Sequence, residues 1–190
     1  SDFMQGDWRA KGDVTWGDGW SLTGAWLGTL LQGAGRVDNL GKGDVRIYDN
    51  QDDVAYLLLR RHEPEELFGE FKVQLSYHRL AETIHRTTCR VNGDGDISAI
   101  GACIAMDDAT ITRKRRYEDT THAMALSAGS LLRFLDDRLR LQLGIDGRME
   151  LVESQLKDAR AEEGFVYTEK ARGNFSDGSQ FGAIDAYASL

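Results

Sequence analysis

Proline is nearly missing from this chain: its 190 residues hold one, Pro64, against 21 glycines. Long proline-rich linkers are thereby excluded, and the glycines, many in Gly-Asp or Asp-Gly pairs, point to tight turns between strands. Cysteine is scarce too, with only Cys89 and Cys103. Two cysteines do not make the framework of a small secreted scaffold, so a reduced compartment is the default. No segment approaches the roughly 18 consecutive apolar residues of a spanning helix, and Ser1-Asp2-Phe3-Met4 lacks a charged-then-apolar leader. No membrane span is expected, and the location expected is cytoplasmic. Positive charge is in deficit, 23 Lys and Arg against 31 Asp and Glu, for a net charge of -8. That field repels phosphate backbones, so nucleic acid is not an expected partner.

Several chemical signatures are absent as well. Asn92-Gly93-Asp94-Gly95-Asp96 begins like a calcium loop, but Ile97 stands where the loop needs glycine and Cys103 where it needs glutamate. His62-Glu63-Pro64-Glu65-Glu66 lacks the second histidine of a zinc helix. Gly33-Ala34-Gly35 lacks the third glycine of a dinucleotide loop. No metal and no cofactor are expected.

What is present is β-rich. The length suits one domain, taken as residues 1–172, with the Gly/Ser-rich stretch from 173 to 190 read as a loose tail. Glu70 to His78 alternates, with Phe71, Val73, Leu75 and Tyr77 on one face and Lys72, Gln74 and Ser76 on the other. Hairpins are expected to turn at Asp49-Asn50-Gln51-Asp52, at Asn92-Gly93-Asp94-Gly95 and at Ile145-Asp146-Gly147. Phe165 to Thr168 reads as a late strand. Helical signals are short. Ser21 to Gln32 fits a helical stripe or a buried strand, Pro64–Phe68 and Ser130–Leu135 fit single turns, and Glu153 to Glu163 fits a surface helix stopped by Gly164. All four tryptophans, Trp8, Trp16, Trp20 and Trp26, fall near the start, where core packing, a barrel plug or a flat ligand site are the readings open to them.

The basic run Arg113-Lys114-Arg115-Arg116 closes on Tyr117 within an extended segment. A strand sends alternate side chains to opposite faces, so two of the four cations point each way. If successive hairpins link residues 83 to 117, His85, Thr87, Arg113, Arg115 and Tyr117 share a face with Ile100, Ile104, Met106 and Ile111. That face is the more apolar. In the same register Cys89 opposes Ser98, so no disulfide to Cys103 is expected. Arginines on an inner face require carboxylates, water or an anionic ligand, whereas at a barrel rim they are simply solvated.

Phe3-Met4-Gln5-Gly6-Asp7-Trp8-Arg9 resembles the Gly-x-Trp opening of calycin-type barrels, and Arg115-Arg116-Tyr117 is similar to the Arg-x-Tyr pair with which fatty-acid-binding proteins hold a carboxylate. The resemblance implies a lipocalin-like barrel in which Arg115 and Tyr117 hold the ligand's charged end. The expected fold is thus mainly β, an antiparallel meander closing into a calycin-like barrel with a few short helices. The expected function is binding of a hydrophobic or aromatic anion by Arg113, Arg115, Tyr117, His85 and Thr87. Alternatives are a lyase, isomerase or cyclase using His85 and Tyr117 for acid-base work, or a structural subunit. Self-association into a homo-oligomer stays open.

Overall fold

Apolar and polar residues alternate with period two through long stretches of this chain, and each stretch is one strand. The computed structural model describes residues 3–36, 43–63, 67–90, 111–134, 138–170 and 177–190. They form β1 (Met4–Trp16), β2 (Trp20–Arg36), β3 (Asp44–His62), β4 (Phe68–Cys89), β5 (Ile111–Phe134), β6 (Leu139–Arg160), β7 (Thr168–Lys170) and β8 (Ser179–Ser189). One antiparallel sheet runs in the order β1 to β7, and β8 pairs β6 beside β7. It is a meander, and the mainly-β class expected from the sequence is what is found. Among the described residues β1 and β8 each pair with one neighbour only.

The strands are longer than the sequence suggested, because two expected turns are strand interior. Asp49, Asn50, Gln51 and Asp52 pair with Thr83, Glu82, Ala81 and Leu80 of β4. Their side chains find partners there: Asp52 Oδ1 lies 2.7 Å from His78 Nε2, and Asp49 Oδ1 accepts the Gly33 N–H at 2.7 Å. Ile145-Asp146-Gly147 likewise lies inside β6, opposite Ala128, Ser127 and Leu126. The stretch Ser21–Gln32, where stripe and strand competed, is strand.

The surface helix expected over 153–163 is corrected to strand through Arg160, followed by one 3-10 turn, Ala161–Glu163. Lys157 reaches across to Glu118 at 3.0 Å rather than along its own chain to Glu153, so cross-strand pairing replaces the spacing-four pair. Gly164 does stop that turn, at φ 65°. The turn expected at Ser130–Leu135 is extended through Phe134, with Ser130 Oγ donating to the Glu70 carbonyl at 3.1 Å. The late strand expected over Phe165–Thr168 is corrected to β7, Thr168–Lys170, with which it shares only Thr168, and the expected loose tail contains β8. The turns expected at Asn92–Gly95 and Pro64–Phe68 lie wholly or largely outside the described residues.

Little of the chain is inside. The apolar residues that are buried are Cys89, Ile111 and Ala159, and the accessible surface is 12477 Å². A folded monomer of this mass, 21.2 kDa, would expose about 9,000 Å². The excess is what a single-layer sheet produces, since among the described residues neither face is covered by a second layer.

Two glycines are fixed by close approach. Gly19, at φ 76° between β1 and β2, would place a Cβ 2.2 Å from the His62 carbonyl oxygen. Gly144 of β6 lies directly under the ring of Tyr187 on β8, where a Cβ would stand 2.2 Å from Cζ. An aromatic ring laid over a strand glycine fills the gap left by the missing side chain and pins register. Gly144→Val is therefore expected to cost about 1–3 kcal/mol by displacing Tyr187 and loosening β8. Hydrogen exchange should show selective deprotection of residues 179–189, with β3 and β4 unchanged.

Candidate functional site

Register and alternation together decide which side chains meet. Three successive rows cross seven strands on one face. The first is Val14, Leu22, Leu59, Val73, Ala128, Ile145 and Ala186; the second is Gly12, Gly24, Leu57, Leu75, Leu126, Gly147 and Ile184; the third is Ala10, Trp26, Ala55, Tyr77, Met124, Met149 and Gly182. None carries a charge. The side chains stand open, with Leu57 53% exposed, Leu126 54%, Met149 55% and Ile184 80%. Between them, on the opposite face, run Asp13, Thr23, Leu58, Gln74, Ser127, Asp146 and Asp185, then Lys11, Ala25, Tyr56, Ser76, Ala125, Arg148 and Ala183. Over these three rows the sheet has an uncharged face and a polar one; the next rows of the first face carry Arg61 on one side and Asp53 and Arg79 on the other.

All four tryptophans occupy even positions of β1 and β2, which puts them on the uncharged face. They border its apolar band. Trp16 and Trp20 stack at 6.4 Å at one edge, with the Arg61 guanidinium 5.7 Å from the Trp20 ring; Trp8 and Trp26 meet edge to face at 6.0 Å at the other. Beside that second pair, Tyr77 Oη lies 2.7 Å from His122 Nδ1. The core role weighed for the tryptophans is corrected for Trp16 and Trp26, which are exposed because no layer of the described residues covers this face; Trp8 and Trp20 are half-buried.

The connections differ at the two ends. At the band's end they are short, residues 17–19, 63–67 and 135–138; at the other they are long, residues 37–43, 90–110 and the 161–178 stretch that carries β7. At that long-connection end both faces are polar. There Asp158, 1% exposed, is gripped by Arg113 at 2.5 and 2.8 Å, by Arg115 Nε at 3.2 Å and by Lys170 at 2.9 Å. These cations hold its carboxyl at about 2, below the usual 3.8. Asp44 is clamped in the same way between Arg46 at 2.7 Å and Arg86 at 2.8 Å, and its pKa is lowered although burial opposes the shift.

The five residues expected to form one ligand site are divided. Arg113, Arg115 and Tyr117 lie on the polar face, opposite Thr88, Arg86 and Ile84. His85 and Thr87 lie on the other face, opposite Arg116 and Lys114, and His85 Nε2 is 3.5 Å from Asp49. The shared face rested on hairpins through residues 91–110, which lie outside the described residues; β4 instead pairs directly with β5. As catalytic partners His85 and Tyr117 are likewise separated by the sheet. Cys89 is disulfide-bonded, which departs from the reduced state expected; Cys103, the partner weighed for it, lies outside the described residues.

Asp44 and Asp158 were missed as site residues. Their only signal in the sequence is an acidic residue at an alternation position, which gains meaning once Arg46, Arg86, Arg113 and Arg115 are known to be their neighbours. Among the described residues no cluster of His, Cys, Asp and Glu could hold a metal ion. Among the same residues no helix is long and apolar enough to cross a membrane. No protein-family model, curated protein or solved structure matches this chain.

The Asp158 clamp gives a pH dependence of definite sign. A carboxylate whose folded pKa lies below its unfolded one stabilises the fold above the unfolded value and loses that contribution as pH falls through the folded value. Amide protection of residues 113–117 and 156–160 should hold from pH 7 to about 4 and decline between about 4 and 2. Asp158→Asn should weaken this end by about 2 kcal/mol at neutral pH and abolish its share of the acid transition. Hydrogen exchange of the variant across that range is the measurement.

Proposed function

We propose that this chain forms the wall of a transmembrane β-barrel, its uncharged face against lipid acyl chains and its polar face toward an aqueous interior. The observation that carries the reading is the set of three charge-free rows across seven strands, exposed on one face while charged rows alternate with them on the other. Water tolerates an isolated exposed leucine but not a continuous patch of this extent, and hydrocarbon is the medium in which the patch has no cost.

Dimensions and flanks agree with that medium. The charge-free rows cover about 13 Å of β1; counted to the flanking rows, which hold Asp53 and Arg79 on one side and Arg61 on the other, Trp8 to Trp16 spans about 27 Å of β1, and Leu139 to Leu151 spans about 40 Å of β6, at about 3.3 Å per residue. Tilted by about 40°, as membrane strands are, these become about 20 and 30 Å, on either side of the roughly 25 Å apolar band of such barrels. Aromatic residues border the band at both edges, as they do at membrane interfaces. Short turns at one end and long connections at the other form the asymmetry characteristic of these proteins. A disulfide at Cys89, beside the longest connection, suits an oxidising compartment.

This reading departs from the membrane-free, cytoplasmic location expected from the sequence, which considered only helical runs. It also relocates the ligand expected there. An internal hydrophobic anion site needs apolar and cationic groups on one enclosed face, whereas here the apolar residues and Arg113, Arg115 and Tyr117 are on opposite sides.

Reconstitution tests the proposal through its four tryptophans. In vesicles of lipids brominated along the acyl chains, their fluorescence is expected to fall strongly, and the protein should float with the vesicles after an alkaline wash. Unquenched emission with the protein left in the aqueous fraction would sink the reading. Leu57→Arg, at the middle of the band, should destabilise the inserted protein by about 2–4 kcal/mol in denaturant titrations, while Tyr56→Arg, one residue away on the polar face, should be nearly neutral.

A further inference from the structure

At the long-connection end, four arginines on four adjacent strands stand opposite one another in a single row. Arg36 of β2 opposes Arg46 of β3, Arg46 opposes Arg86 of β4, and Arg86 opposes Arg115 of β5; the next position, on β6, is Asp158. All project from the polar face. Like charges directly opposite one another destabilise a sheet, so the row is held against a folding cost.

Its own carboxylates offset only part of that charge. Asp44 serves Arg46 and Arg86, and Asp158 serves Arg113, Arg115, Arg160 and Lys170, so two anions answer six cations. Arg86 and Arg115 touch their carboxylates through Nε, at 2.8 and 3.2 Å. Tyr48 and Tyr117, one row nearer the band, stand beside Arg46 and Arg86 on the same face. A groove of about 130 Å³ opens between these four side chains and Ile84.

We infer that this row is a binding site for multivalent oxyanions of the phosphate type. A guanidinium fork matches two oxygens of a phosphate, and forks already aligned by a carboxylate lose little freedom on binding. Three interstrand spacings of about 4.8 Å make the row about 14 Å long, which suits a chain of linked phosphates better than a single carboxylate. The site lies nine residues along β3 from Ala55 of the apolar band, about 30 Å away, so it stands beyond the lipid-facing zone at the mouth of the interior. Its place at that mouth rests on the membrane reading, whereas the row itself follows from strand pairing alone.

Titration calorimetry of the full chain in detergent micelles at low salt, with tripolyphosphate as the probe, tests it. Saturable binding is expected, at least tenfold weaker in Arg86→Gln/Arg115→Gln and unchanged in Arg148→Gln, a cation of the same face far from the row. Absence of saturable binding in the parent protein, or equal loss in Arg148→Gln, would overturn the site. Should the double glutamine variant lose its sheet circular dichroism, Arg86→Lys/Arg115→Lys, which keeps the charges but not the forks, is expected to weaken binding at least threefold; parent affinity in that variant would also overturn it. Vesicle flotation of the same preparations separates the two proposals. Protein that binds tripolyphosphate but does not float leaves the oxyanion site standing and removes the membrane reading, and protein that floats without binding does the reverse.

Discussion

Everything in this structure hangs on strand register. A strand has a side-chain period of two, so one residue of slippage between any two neighbours would carry a whole row to the opposite face. Across the band no such slip occurs: the partners of Leu57 continue through Leu75, Leu126 and Gly147 to Ile184 with the same parity. Register irregularities are confined to the strand ends, between Leu31 and Ala34, at Phe68/Glu70 and at Thr88/Cys89. Ordinary domains fix parity by burying one face against a second layer. Here the apolar face is left open, and parity is held by ring-on-glycine contacts such as Tyr187 over Gly144 and by cross-strand ion pairs.

Those ion pairs divide the sheet into two regimes along its strands. In the band, side chains on one face carry no charge. Toward the long connections both faces turn polar, and stability there passes to electrostatics, with Asp44 and Asp158 each spacing a pair of arginines that would otherwise repel. The same carboxylates that relieve the repulsion also aim the guanidinium groups. One arrangement therefore serves both folding and recognition, and the oxyanion proposal draws on that overlap.

Much of this was legible in the residues. The alternation Phe71, Val73, Leu75, Tyr77 announced β4, whereas the glycines read as tight turns lie mostly inside strands, as Gly12, Gly24, Gly144 and Gly147 do. Asp49–Asp52 and Ile145–Gly147 misled because polar residues and glycine favour turns locally, while in the sheet each has a cross-strand partner that only pairing reveals. Glu153–Lys157 misled in the same way, since spacing four on a helix and spacing four on one face of a strand look alike in sequence. The faces of His85 and Arg113 could not be deduced without knowing that β4 meets β5 directly. The apolar band escaped notice for a further reason: each strand contributes only every second residue to it, so no continuous hydrophobic run ever forms.

The two outer strands acquire a particular meaning in hydrocarbon. β1 and β8 each turn half of their backbone N–H and C=O groups away from their single neighbour. Water satisfies such groups at no cost, but in lipid each unpaired one costs several kcal/mol, and no side chain can make up the difference along a whole strand. On the membrane proposal, closure of this sheet would be imposed by the solvent and not by packing: the edge of β1 would have to find a complementary edge, and the seam joining them would be the last element whose hydrogen bonds are completed. Until that seam forms, the molecule presents two adhesive borders, which makes premature contact between copies the chief hazard on its way into the bilayer.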